Sequence, residues 1–130
     1  MIKKIIILLF VSFNLLAHHP GNQVEAISPY PEISLDIEED NIDGFNIYFT
    51  VNNFKITPEN IGKENIDNEG YLHIYVNDIK IGRVYSNWSH VPGRFFNLKK
   101  NIIKVTLNTN MNDDYVIDGK PIVVEIEIKN

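Results

Sequence analysis

Five segments of the chain alternate apolar and polar residues with a period of two. This pattern is typical of a β-strand that has one face in a hydrophobic core and the other face in solvent. No segment shows a sustained period of 3.6 residues, and the one helix predicted is a single turn after Thr57, with Pro58 at its first position. The alternating segments are 33–37, 45–51, 71–76, 103–107 and 122–128.

Turn signals between these segments predict antiparallel hairpins. Asn77-Asp78 separates two strand-like runs, and Asp118-Gly119 is a stronger signal because glycine takes a positive φ without steric cost. Pro121 follows the second turn at a strand start, where a missing N–H is tolerated. About seven short strands in roughly 100 residues predict an all-β fold, an antiparallel β-sandwich of immunoglobulin-like or cupredoxin-like type.

The N-terminus has the composition of a secretory signal peptide. Lys3 and Lys4 precede an apolar run at 5–13, and Ala17 offers a cleavage site. The run is too short to cross a hydrocarbon core, which needs about twenty residues. We therefore expect export to the bacterial periplasm or the cell exterior, with no membrane span after cleavage. The predicted segments are a signal peptide at 1–17, an irregular arm at 18–32 and a β-sandwich domain at 33–130.

Composition excludes several kinds of site. The chain has no cysteine, so disulfides, thiolate metal sites and cysteine nucleophiles are ruled out. Twelve basic residues against seventeen acidic ones, a formal charge of −5, argue against a nucleic-acid partner. Loss of the signal peptide would leave 113 residues and remove two lysines, which makes the charge −7. Any metal site must therefore use nitrogen, oxygen or thioether ligands.

The four histidines are the candidate metal ligands. Cleavage after residue 17 would place His18 and His19 at the mature N-terminus, where an α-amine beside an imidazole favours Cu(II). His73 lies on the polar face of its strand, and a two-residue turn would put Gly82 opposite it, with open space above the imidazole. His90 follows at the end of another strand-like run. Because ligation needs neutral imidazoles, metal binding should weaken below about pH 6.

Three aromatic residues support a different hypothesis. Tyr71, Tyr75 and Trp88 could form a polar binding face for an envelope protein or a glycan, although cross-strand packing is the preferred explanation, because the hairpin would bring several aromatics together. No catalytic residue is predicted. Ser89 and His90 are adjacent, so on a strand they would point to opposite faces, and no G-x-S-x-G motif is present.

Most of residues 44–122 resembles a family of small exported bacterial proteins of uncharacterised function. The likeness is carried by ordered motifs with fixed spacing. They include N-F-K-I-T-P-E-N at 53–60, E-G-Y-L-H-I-Y-V-N at 69–77, G-R-V-Y-S-N-W-S-H at 82–90, L-N-T-N at 107–110 and V-I-D-G-K-P-I at 116–122.

The family pattern combines a G-H-x-H-x-Y strand, a W-x-H end and an N-x-N-D-H turn. This resemblance implies a periplasmic site for copper or another transition metal. His73 and His90 match two of its histidines, whereas Tyr71 and Asn112 stand where the pattern has the other two. The neighbouring Met111 offers a thioether, which suits Cu(I). The resulting hypothesis is an exported, non-catalytic protein that binds copper through His73 and His90, with His18 or His19 as further ligands.

Overall fold

The computed structural model describes residues 22–129 and consists almost entirely of β-strands. Two short 3-10 turns, Pro58–Asn60 and Gly93–Phe95, are its helical segments. The strands in chain order are β1 (Gln23–Glu25), β2 (Glu32–Glu39), β3 (Phe45–Asn52), β4 (Lys55–Ile56), β5 (Glu69–Val76), β6 (Ile79–Val84), β7 (Trp88–Val91), β8 (Lys100–Asn108), β9 (Asp114–Ile117), β10 (Lys120–Pro121) and β11 (Val123–Lys129).

The strands form two sheets. The smaller sheet is antiparallel and has the order β2-β3-β7. The larger sheet is built on the antiparallel order β6-β5-β8-β11, to which β9, β1, β10 and β4 add at one end. We call β6, β5, β8 and β11 the four-stranded sheet. Seven principal strands in two sheets confirm the predicted all-β sandwich, while the choice between immunoglobulin-like and cupredoxin-like types stays a prediction.

One hydrophobic core lies between the two sheets. Every second residue of the principal strands points into it, as the period of two predicts. Burying each of these side chains contributes about 1.5–3 kcal/mol. The fully or nearly fully buried members are Leu35, Ile47, Phe49 and Val91 from the smaller sheet and Leu72, Ile74, Val76, Val84, Ile103, Val105, Leu107, Val124, Ile126 and Ile128 from the larger one.

The predicted turns are confirmed. Asn77 and Asp78 have φ values of 51° and 64°, and Asp118 and Gly119 have 50° and 75°. Two successive positive φ values are the geometry that matches the twist of a two-residue hairpin. The single helical turn also begins at Pro58, as expected.

Part of the predicted irregular arm is ordered as a strand. β1 pairs in parallel with β9, and the Ala26 N–H donates to the Val116 carbonyl at 2.9 Å. The Glu25 carboxylate accepts the N–H groups of Asp118 and Gly119 at 3.0 and 2.9 Å, so it ties the arm to a hairpin turn. Alternation is too short here to be visible in sequence. The predicted signal peptide, His18 and His19 lie outside the described residues.

Candidate functional site

The candidate site lies on the outer face of the four-stranded sheet. Leu72, Ile74 and Val76 of β5 point into the core, so the residues between and before them point away from it. They meet side chains from β6, from the residue that follows it and from β8. The group, called here the outer-face cluster, comprises Tyr71, His73, Tyr75, Arg83, Tyr85 and Lys104.

The residue opposite His73 is Arg83, not Gly82 as the sequence predicts. Tyr75 pairs with Lys80, but Ile74 pairs with Gly82, because one extra residue bulges from β6 between them. The bulge moves every later residue of β6 by one position. The position opposite the imidazole, which the sequence predicts to be open, is therefore occupied by the arginine side chain.

Aromatic rings line the cluster in a row. The centroid of the His73 ring lies 5.1 Å from that of Tyr71 and 6.2 Å from that of Tyr75, with interplanar angles of 70° and 84°. Tyr85 meets Tyr71 at 5.7 Å and 66°. These are edge-to-face contacts, the arrangement that the ring quadrupoles favour. The predicted cross-strand packing of aromatics is thus present on this face.

Two cations stand over the tyrosine rings. The Arg83 guanidinium carbon lies 5.3 Å from the Tyr71 centroid, and Arg83 also donates to the Tyr85 hydroxyl at 3.4 Å. The Lys104 ammonium lies 4.7 Å from the Tyr75 centroid and 3.7 Å from a carboxylate oxygen of Asp78. Each cation is attracted by the electron-rich face of its ring.

His73 is buried and has no hydrogen-bond partner in the described part of the chain. Its exposed fraction is 3%, and neither Nδ1 nor Nε2 is bonded. Burial, helped by the positive charges of Lys80 and Arg83, lowers the pKa of His73 from 6.5 to about 4. The imidazole is therefore neutral at pH 7. Leaving a buried polar group unpaired costs about 1–3 kcal/mol, so this ring is a local source of instability.

The polar groups beside His73 satisfy one another instead. Tyr71, which is 1% exposed, donates its hydroxyl hydrogen to Asn112 Oδ1 at 2.7 Å. The Thr106 hydroxyl donates to Asn108 Oδ1 at 2.8 Å, and the Asn108 amide donates to Asp114 at 2.7 Å. Tyr71 and Asn112, the two positions where the chain departs from the family pattern, are thus in direct contact.

His90 lies on the other side of the molecule. Its neighbour Val91 is buried in the core, and its cross-strand partner is Asn46, so the imidazole faces outward from the smaller sheet. His90 Nδ1 lies 2.8 Å from Asn46 Oδ1 and 4.0 Å from an Asp40 oxygen. His73 and His90 therefore occupy opposite outer faces, and the structure does not bring them into one site.

The negative charge of Asp40 is stabilised by hydrogen bonds from residues close to it in the chain. The backbone N–H groups of Asp43 and Ile42, followed by the Asn46 side chain, hold the pKa of Asp40 at about 2. Residues 22–129 contain no group of three or more His, Cys, Asp or Glu side chains placed to hold a metal ion. Asp40, Asn46 and His90 therefore contact one another, with two residues among them of the types that ligate metals most often.

The predicted aromatic face is divided between the two sheets. Tyr71 and Tyr75 belong to the outer-face cluster, whereas Trp88 lies on the smaller sheet directly opposite Tyr48. Trp88 and Tyr48 are 51% and 41% exposed. Sequence reasoning missed Arg83 and Lys104 as members of the site. Arg83 lies opposite His73 and Lys104 lies opposite Tyr75 through strand pairing, which the pattern along a single strand does not contain.

No protein-family model, curated protein or solved structure matches this chain. Within the described part of the chain, no helix is long and apolar enough to cross a membrane.

Proposed function

We propose that this protein is a non-catalytic binding domain of the bacterial cell envelope, exported by its N-terminal signal, and that it binds its ligand with the outer-face cluster. The observation that carries the proposal is His73, whose two ring nitrogens are buried and unbonded. Folded proteins pair nearly all buried polar groups. A group left unpaired at a surface cluster is accounted for if a ligand supplies the partner.

Binding fits this cluster better than catalysis. A catalytic histidine is normally oriented by a hydrogen bond to one ring nitrogen, which sets its tautomer and basicity. His73 has no such bond, and its low pKa makes it a poor base at neutral pH. The tyrosine rings and cations around it instead offer stacking surface and charge, which are the means of recognition.

Tyr85 is the entry point that we propose for the ligand. It is 40% exposed and contacts both Tyr71 and Arg83, so it lies at the solvent edge of the cluster. An envelope protein or a glycan could meet this edge. The exposed pair of Tyr48 and Trp88 lies on the opposite sheet and takes no part in this proposal.

The experiment compares ligand capture by two single variants. The immobilised protein is exposed to envelope extract, and the retained molecules are identified by mass spectrometry. Tyr85→Ala should lose the molecule that the wild type retains, because it removes the edge of the cluster. Trp88→Ala is the matched control, since it removes an exposed aromatic from the other sheet and should retain the same molecule. Loss with Trp88→Ala, or retention with Tyr85→Ala, would contradict the assignment.

The same unbonded imidazole supports a second proposal, that the protein binds copper. A neutral imidazole with a free lone pair is a common metal ligand. Tyr71 and Asn112, the two positions where the family pattern has histidines, are hydrogen-bonded to each other, and the Tyr71 ring contacts that of His73. Lys80 and Arg83 oppose copper binding, because both place positive charge close to the ring.

Copper titration of three proteins tests this second proposal. Cu(II) binding by the wild type should be lost in His73→Phe and retained in His90→Ala, because the two histidines lie on opposite faces. Since the pKa of His73 is about 4, binding through it should persist well below pH 6. Equal binding by all three proteins, or loss with His90→Ala alone, would refute a site centred on His73.

A further inference from the structure

Arg83 is a cation with no acidic partner among residues 22–129. Its recorded contacts are the Tyr71 ring and the Tyr85 hydroxyl, both of them neutral. Two carboxylates of the described residues lie near a cation elsewhere: Asp78 is 3.7 Å from Lys104, and Asp40 is 4.0 Å from His90. The charge of Arg83 is therefore uncompensated at short range, directly opposite the unbonded His73.

Arg83 is also the β6 residue that lies next to the His73 imidazole. Directly opposite residues on neighbouring strands have Cβ atoms about 4.5–5.5 Å apart, so the aliphatic stem of Arg83 lies beside the His73 ring. Arg83 is an exposed residue. Access of a ligand to the imidazole requires movement of this side chain, which breaks its cation–π contact with Tyr71 and its hydrogen bond to Tyr85.

The His73 imidazole and the Arg83 guanidinium would both be satisfied by a hydrogen-bond acceptor on a ligand. A neutral imidazole carries one N–H donor, and here that donor has no acceptor. A guanidinium presents several N–H donors in a rigid fork. A carboxylate has two oxygens, one for each of these donors, and its negative charge balances Arg83.

The surrounding charge favours a small ligand with a single negative charge. Asp113 and Asp114 lie close enough to add to the raised pKa of Tyr71, which follows mainly from burial. The chain as a whole carries a formal charge of −5. Both features repel a polyanion, while one carboxylate is matched by one arginine.

Resting on the proposed binding function, we infer that the outer-face cluster binds a small monocarboxylate between the guanidinium of Arg83 and an N–H of His73. The carboxylate supplies the acceptor that His73 lacks and the counter-charge that Arg83 lacks. Lys80, on the same strand as Arg83, adds favourable long-range attraction. Lys104 contributes less because Asp78 already neutralises it.

Titration with acetate tests the inference on the full chain. The signals of the ring nitrogens of His73 are followed by NMR, with those of His90 as an internal reference on the opposite face. Acetate should shift the His73 signals saturably, with a Kd on the order of millimolar. Acetamide, a neutral molecule of nearly the same shape, should not. Bound acetate should also raise the pKa of His73, because an adjacent negative charge favours the imidazolium.

A pair of arginine variants identifies the guanidinium responsible. Arg83→Gln should weaken acetate binding by at least about tenfold, a loss typical of a charged hydrogen bond. Arg94→Gln is the control, because Arg94 also stands over an aromatic ring, with its guanidinium carbon 4.7 Å from the Phe95 centroid. Equal shifts with acetamide, equal losses in both variants, or no saturable shift of His73 would overturn the inference.

Failure of the inference is distinguishable from failure of the proposed function. If acetate does not bind but envelope extract still yields a Tyr85-dependent ligand, the function stands and the ligand class is wrong. If acetate binds in an Arg83-dependent way but no envelope molecule depends on Tyr85, the site stands and the envelope-binding function is wrong.

Discussion

Replacing His73 with phenylalanine should stabilise the protein at pH 7. Phenylalanine keeps a flat ring between Tyr71 and Tyr75 but removes both unbonded nitrogens. Leaving such groups buried costs about 1–3 kcal/mol, and their removal should return a gain of that order. For a domain of this size, each kcal/mol corresponds to a rise in Tm of about 4 °C.

The stability gain should grow as the pH falls. The folded protein holds the pKa of His73 at about 4, against 6.5 for an unperturbed histidine. Between these two pH values the unfolded chain binds a proton at His73 and the folded chain does not. Protonation therefore favours unfolding, and the stability of the folded protein decreases as the pH is lowered. Each pKa unit is worth about 1.4 kcal/mol, so the wild type should lose about 3 kcal/mol through this residue by pH 4. His73→Phe should not show that loss.

Urea denaturation at pH 7, 6, 5 and 4 measures both effects. The difference between the two proteins isolates His73, because every other titrating group is common to them. His90→Phe is the matched control: His90 is exposed and hydrogen-bonded to Asn46, so its replacement should give no gain at pH 7. Parallel stability curves for wild type and His73→Phe, or a loss of stability in His73→Phe at pH 7, would refute the reasoning.

Four further variants test other parts of the structure. Gly70→Ala should lower the free energy of unfolding by at least about 2 kcal/mol or prevent folding, since its Cβ would overlap the Asn108 carbonyl. Gly82→Ala should change that free energy by less than about 0.5 kcal/mol, because its Cβ would meet open space. Urea denaturation measures both effects. Tyr115→Phe should cost about 1–2 kcal/mol in the same assay, because the hydroxyl donates to the Glu69 carbonyl at 2.7 Å and accepts the Glu69 N–H at 3.2 Å. The double variant Tyr71→His, Asn112→His should strengthen Cu(II) binding at least about tenfold over wild type in calorimetry, since it places three imidazoles together; unchanged affinity would contradict the convergence of these positions.

The fold is predictable from sequence wherever the physical signal is local. Alternation along one strand is a property of that strand alone, so the core face of β5 and of β8 could be read directly. The hairpin at Asn77-Asp78 is equally local, because its turn residues tolerate positive φ. β1 escaped prediction because its three residues are held by pairing with β9, which lies about ninety positions away in the chain.

The candidate site depends on relations between strands, and there the sequence is a weaker guide. His73 could be placed on an outward face, yet its burial comes from neighbours on β6 and on β5 itself. The separation of His73 from His90 depends on β7 crossing to the other sheet. Periodicity says which face of a strand is polar but not which sheet the strand joins.

The bulge in β6 shows how a single residue determines the chemistry of this surface. Without it, Gly82 would stand opposite His73 and the imidazole would lie open to water, with an ordinary pKa and both nitrogens hydrated. With it, Arg83 takes that position, and its positive charge adds to the burial that lowers the pKa of His73. In this arrangement, within residues 22–129, Arg83 has no ion pair with a carboxylate and the His73 ring nitrogens have no hydrogen-bond partner. Deleting Ile81, the residue that the bulge leaves unpaired, should therefore return the pKa of His73 toward 6.5 and abolish acetate binding together, whereas two unrelated features would respond separately.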